Sequence, residues 1–209
     1  MIEKIDNGFQ LISLGICTAL ALYRAFSSSD RHWASLALFC AVMALGDLYW
    51  FLYMVFYGDT PLYSFIPDYC WIAAFLFLLL LLLHEDNSRI RWHEHKVLYL
   101  IPVFTVGMCI FYMRFGKYLT NIFYAVFMTL VMCYSLNGLL SSGKENRRCR
   151  LYLTSFIFCL VEYLLWTTSC FEWAGPAYLD PYYIFDIMLT VVYILFYPAT
   201  GKAVEDEPH

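Results

Sequence analysis

Charge is scarce in this chain: Asp, Glu, Lys and Arg make up 14 % of its 209 residues, while 62 % are hydrophobic. That balance lies far from the average of water-soluble domains and excludes an ordinary globular fold. No lysine is embedded in an apolar run, which excludes a retinal-type Schiff base. The eight cysteines form no C-x-x-C pair, and H-E-x-x-H, G-x-S-x-G and phosphate-binding glycine motifs are missing. Nothing in the sequence calls for a cofactor, a bound metal or a nucleic-acid partner.

What is present is apolar and evenly portioned. Stretches of about 20 residues, enough to cross roughly 30 Å of hydrocarbon, alternate with short polar clusters. Seven spans are predicted at about 8–26, 32–57, 64–84, 96–114, 118–140, 150–171 and 179–199. The first is not a cleavable signal, because Glu3, Lys4 and Asp6 make a mixed-charge start and no small-residue cleavage site follows. The expected fold is an all-α integral membrane protein forming a single seven-helix domain, residues 1–209, partnered by the lipid bilayer of the cell's plasma membrane.

Basic residues orient it. Arg24, Arg31, Arg89, Arg91, Lys96, Lys144, Arg147, Arg148, Arg150 and Lys202 fall on one side, and only Lys4, Arg114 and Lys117 on the other. The N-terminus is therefore expected outside and the C-terminus in the cytoplasm. Cys17, Cys40, Cys109, Cys133 and Cys159 act as small apolar side chains within spans. Cys149 falls in a cytoplasmic loop, and Cys70 and Cys170 are the pair placed where a bridge can form, near the outer ends of spans three and six.

Against this background three acids stand out: Asp47, Glu162 and Asp186 each interrupt an apolar run. A carboxylate at a helix centre in the bilayer costs about 2.5–3.5 kcal/mol, so the three together cost roughly 8–10 kcal/mol unless they face one another, water or a ligand. Asp47 is expected two-thirds of the way out along span two, Glu162 near the midplane, Asp186 in the outer third of span seven and Asp68 at the outer mouth of span three. Each of three acids has a tryptophan on its own helix face: Asp47 with Trp50, Asp68 with Trp71, and Glu162 with Trp166. Tyr49, Tyr53, Tyr69, Tyr163 and Tyr183 add hydroxyls nearby. The candidate ligand-binding set is Asp47, Trp50, Asp68, Trp71, Glu162, Tyr163, Trp166 and Asp186. Carboxylates supply charge and indole faces supply cation–π attraction, so the set suits a cationic or amine-bearing ligand, and hydroxyl-rich neutral ligands also fit. The plain alternatives are neutral acids tying helices together and aromatics collecting at the interface. A proton or ion path is a third.

Two halves of the chain also look alike. Asp47 precedes Pro61 by 14 residues and Glu162 precedes Pro176 by 14, with Tyr63 and Tyr178 two residues further on. Ser27–Ser28 and Ser141–Ser142 precede the charged loops before spans two and six. A parallel duplication is expected: repeat A about 7–84, a linker helix about 96–114, repeat B about 118–199 and an acidic tail 200–209. Such repeats put a shared site at their interface. Other signals carry less. His93-Glu94-His95 reads as a solvated loop, Pro102 and Pro198 are expected to kink or stop their helices, and Gly46 lets a neighbouring helix approach Asp47 closely.

The three-plus-one-plus-three plan with an outside N-terminus resembles the architecture of the SWEET sugar transporters and KDEL receptors, although the chain has no proline-glutamine repeat. The stretch Gly46-Asp47-Leu48-Tyr49-Trp50, followed by Gly58, Pro61, Ser64, Asp68 and Trp71, resembles part of the membrane sensor modules that precede bacterial diguanylate-cyclase domains. That resemblance spans about 40 residues and implies ligand sensing. The chain ends about ten residues after span seven, so sensing implies a cytoplasmic partner at loops 85–96 and 143–150. A fainter similarity, the Gly-Asp pair within a helix, is to the lysoplasmalogenase hydrolases. The leading expectation is a sensor or receptor with an outward acidic and aromatic cavity. The alternatives are a small-solute transporter and an intramembrane hydrolase using Asp47 with Glu162 or Asp186.

Overall fold

A computed structural model describes residues 2–61, 64–85, 90–141, 148–176 and 179–204. Tyr63 and Tyr178 of the matched spacing, Ser142, the basic residues Arg89, Lys144 and Arg147, and the tail beyond Val204 lie outside the described residues. Among the described residues every regular element is helical: α1 (Ile2–Ser28), α2 (Arg31–Tyr57), α3 (Phe65–Glu85), α4 (Leu100–Tyr112), α5 (Tyr118–Ser141), α6 (Cys149–Ser169) and α7 (Pro181–Val204). Short 3-10 turns, Lys96–Tyr99 and Met113–Phe115, extend α4 at both ends. All seven are long and apolar enough to cross a membrane. They turn much of their apolar surface outward, including Ile5, Ile12 and Ile16 of α1, Val103 and Ile110 of α4, and Ile184, Ile187 and Val191 of α7. In water that surface would be untenable; against lipid it is required. These are the features of a multi-pass, seven-helix membrane protein.

The helix ends follow local chemistry. Asp30 caps α2, its side chain accepting the His32 N–H at 2.8 Å. Gly58 ends α2 at φ +77°, donating its N–H to the Met54 carbonyl. Two expectations need correction. α1 begins at Ile2 rather than near residue 8, so Glu3, Asp6 and Asn7 belong to the helix. α7 runs through Pro198 to Val204 without stopping, a position that membrane helices tolerate for proline. Pro102 lies in the first turn of α4, where proline fits readily.

In the bundle α1, α2, α3, α5, α6 and α7 form a closed ring in that order, and α2–α7 and α3–α6 contacts narrow its middle. α4 packs outside on α5 and reaches α6 through Tyr112, whose hydroxyl donates to the Tyr163 carbonyl at 3.0 Å. Inside the ring lies an aromatic cluster: Phe39 of α2, Phe75 of α3, Phe158 of α6, and Tyr193 and Phe196 of α7. All five are essentially fully buried, with ring centroids 5.1–6.1 Å apart among the packed pairs. The cluster closes the ring over its lower half. Above it, toward the N-terminus, the ring is hollow.

Candidate functional site

The hollow is a cavity of about 710 Å³, the size of a small-molecule site. Its rim comes from the start of α1 (Glu3), the α2–α3 connection (Thr60), the α4–α5 turn (Gly116, Lys117) and the α6–α7 connection (Phe171, Asp180). Its floor comes from Met43, Leu189 and Tyr193, the last a member of the aromatic cluster beneath. The cavity therefore reaches the end of the bundle that carries the N-terminus.

Asp47 has an inter-helix partner. Trp71 of α3 donates its indole N–H to Asp47 Oδ1 at 3.1 Å, while Asp47 Oδ2 is buried with no protein donor. Sequence spacing pairs Asp47 with Trp50 and Asp68 with Trp71 along single helices; across the α2–α3 interface it is Trp71 that bonds Asp47. Trp50 packs beside Trp71, ring centroids 6.1 Å apart. The contact depends on Gly46: a Cβ there would lie 2.8 Å from the Trp71 nitrogen, so any side chain at that position forces the indole to move.

Glu162 of α6 lies beside the Tyr193 hydroxyl of α7 and near enough to Asp47 to interact with it electrostatically. Asp186 of α7 meets Asp6 of α1 side chain to side chain. Both are buried, and each keeps an oxygen, Oδ2, with no protein donor. Asp186 also feels the charges of Asp47 and Glu162, so the three span acids surround one space.

Asp68 differs from the others because it is neutralised. Lys117 Nζ sits 3.0 Å from Asp68 Oδ2 and also bonds Ser64 Oγ, which donates to the same carboxylate at 3.0 Å. Lys117 reaches this position from a tight turn, with φ +94° at Gly116 and φ +50° at Lys117 itself. The Asn121 side chain braces the turn by donating to the Gly116 carbonyl at 2.8 Å. Trp166 packs edge-on against Tyr124 at 4.0 Å between centroids, making the α5–α6 wall.

Asp47, Trp50, Asp68, Trp71, Glu162, Trp166 and Asp186 thus all border the cavity. Tyr163 does not. A one-residue step turns a helix by about 100°, so the neighbour of Glu162 faces outward to α4, stacked on Tyr112 and edge-on to Phe104. Tyr49, Tyr53 and Tyr69 are likewise absent from the lining, whereas Tyr112, Tyr124, Tyr182, Tyr183 and Tyr193 belong to it. The polar side of α1, Glu3, Asn7 and Gln10, is a further wall that the sequence reading passed over. Its i, i+4, i+7 spacing is the signal that marks it. Cys70 and Cys170 are free thiols, Cys170 among the lining residues.

Among the described residues six acids border the cavity (Glu3, Asp47, Asp68, Glu162, Asp180, Asp186) against one base, Lys117, which Asp68 already engages. Low-dielectric walls focus such a field and concentrate cations. The indole and phenol faces add a second attraction for positive charge. Comparison with family models, with curated proteins and with solved structures finds no match to this chain.

Proposed function

We propose that this protein is a plasma-membrane receptor whose cavity opens outward and binds a small cationic ligand, without turning it over. The observation that carries the reading is the convergence of Asp47, Glu162 and Asp186 on one cavity whose only basic lining residue, among the described residues, is already paired. The excess of Lys and Arg on the opposite side supports the outward orientation. The fully buried, packed aromatic cluster under the floor supports binding over conduction.

The sensor-module resemblance implies that occupancy is passed to a cytoplasmic partner through the connections at 85–96 and 143–150. One observation favours transport as a second reading. Exchanging α1–α3 for α5–α7 leaves the neighbour order of the ring unchanged and interchanges the α2–α7 and α3–α6 contacts, as a duplicated transporter requires. Transport would need the aromatic cluster to part.

Thermal stabilisation by a panel of organic cations, measured on protein in lipid nanodiscs, tests the proposal. Cations stabilise the wild type, Asp47→Asn and Glu162→Gln lose the effect, and proteoliposomes show no solute flux. A panel without any stabilising cation refutes the receptor reading, and flux abolished by the same substitutions replaces it with transport.

A further inference from the structure

We propose that the positive group of the ligand is a protonated amine rather than a quaternary ammonium ion, its N–H donors meeting the free carboxylate oxygens of Asp47 and Asp186. This rests on the cationic reading above and specifies it.

Charge alone does not separate these two kinds of cation. The acidic lining attracts both, and indole and phenol faces favour both. The volume of about 710 Å³ holds either head group readily. Hydrogen bonding separates them. Trp71 occupies Asp47 Oδ1, while Asp47 Oδ2 has no partner among the described residues. Asp186 Oδ2 on α7 is likewise without one among them. Both residues line the cavity and are more than nine-tenths buried, so bulk water does little to satisfy these oxygens. A buried acceptor left without a donor opposes binding. A quaternary nitrogen carries only carbon and leaves both oxygens as they are. A primary ammonium brings three N–H donors.

The two acceptors also lie at one level of the bundle. The Phe39 ring of α2 packs against Tyr193 and Phe196 of α7, with centroids 6.1 and 5.1 Å away, and this sets the register of the two helices. Asp47 is eight residues above Phe39, about 12 Å at 1.5 Å per residue. Asp186 is seven residues above Tyr193 and ten above Phe196, about 10–15 Å. One turn below the two acids, Met43 and Leu189 form the floor. A head group resting on that floor is therefore level with both carboxyls.

The test is isothermal titration of the protein in nanodiscs, against empty nanodiscs, with butylamine, N,N-dimethylbutylamine and butyltrimethylammonium. Butylamine should bind about ten- to a hundredfold more tightly than the quaternary ion, one charge-assisted hydrogen bond being worth that factor. The dimethyl amine keeps one N–H and should stay closer to butylamine than to the quaternary ion. Asp47→Asn preserves the volume but removes the acceptor, because the Trp71 N–H holds the carboxamide oxygen in the Oδ1 place and puts the NH2 group where Oδ2 stood. Its residual binding, titrated at higher concentration, should distinguish butylamine from the quaternary ion by no more than a few-fold. Equal wild-type affinities for these two overturn the inference and leave the cationic reading intact. A preference that persists in Asp47→Asn, or that falls evenly with each added methyl, marks crowding and also overturns it. Failure of all three to bind the wild type overturns both readings. The wild-type series decides the matter where the variant does not fold or bind.

Discussion

Gly46→Ala places two opposing effects on one site, and the structure says which dominates. In an isolated helix the exchange is favourable by about 1 kcal/mol, because alanine loses less backbone freedom than glycine. Here the new methyl would stand 2.8 Å from Trp71 Nε1 and 3.3 Å from Cys70 Cβ. Ordinary contact begins near 3.4 Å, so the indole must retreat by about 0.6 Å or more. Moved directly away from Asp47 by that amount, the indole would stretch its bond from 3.1 Å to about 3.7 Å, beyond hydrogen-bonding range. Asp47 then keeps two buried oxygens without a donor, at a cost of about 1–3 kcal/mol, and crowding of α2 against α3 adds to it. The net effect should be destabilisation by about 1–3 kcal/mol, visible as lower thermal stability in nanodiscs and an altered tryptophan emission spectrum. Trp71→Phe is the matched reference, since it removes the donor without the clash. Gly46→Ala protein as stable as wild type, with unchanged emission, would refute the packing argument around Asp47.

Other substitutions separate the parts of the account. Lys117→Ala leaves the Asp68 carboxylate, only 10 % exposed, with Ser64 as its remaining side-chain donor, so the stability loss should be about 1–3 kcal/mol; affinity for organic cations in isothermal titration should rise several-fold, most at low salt. Tyr163→Phe deletes a buried hydroxyl without a hydrogen-bond partner on the face turned away from the cavity, so ligand affinity should be unchanged and thermal stability equal or slightly higher. Phe158→Ala hollows the aromatic cluster under the floor and should cost about 3–5 kcal/mol in unfolding experiments, while proteoliposomes made from it should begin to leak small cations.

Much of the fold was legible because its signals are long. Twenty apolar residues between polar clusters mark a span whatever its neighbours do, and all seven spans appear as helices. The span acids were legible for the opposite reason, as charges where charge is costly. Partnerships between helices were not. Asp47 with Trp71 is an inter-helix contact licensed by Gly46, and along the chain Trp50 is the nearer indole. Lys117 reads as one of three basic residues on its side until the α4–α5 turn aims it at Asp68. Glu3, Asn7 and Gln10 are ordinary polar residues near a chain start and stand out only once the helix is known to begin at Ile2. Their helical spacing tied them to the apolar run that follows. Tyr163 shows the reverse error, nearness in sequence taken for nearness in space.

The central claim is an electronegative cavity open to the outside, and Cys170 reports on it directly because its thiol borders that space. Thiol-reactive methanethiosulfonates of opposite charge, applied outside intact cells, can be scored at Cys170 by peptide mass spectrometry. Each rate is normalised to that reagent's reaction with a free thiol in solution. The cationic reagent should modify Cys170 about tenfold or more faster than the anionic one, with the ratio falling in Asp47→Asn and Glu162→Gln. Equal normalised rates, or modification only when the cytoplasmic side is exposed, would contradict it.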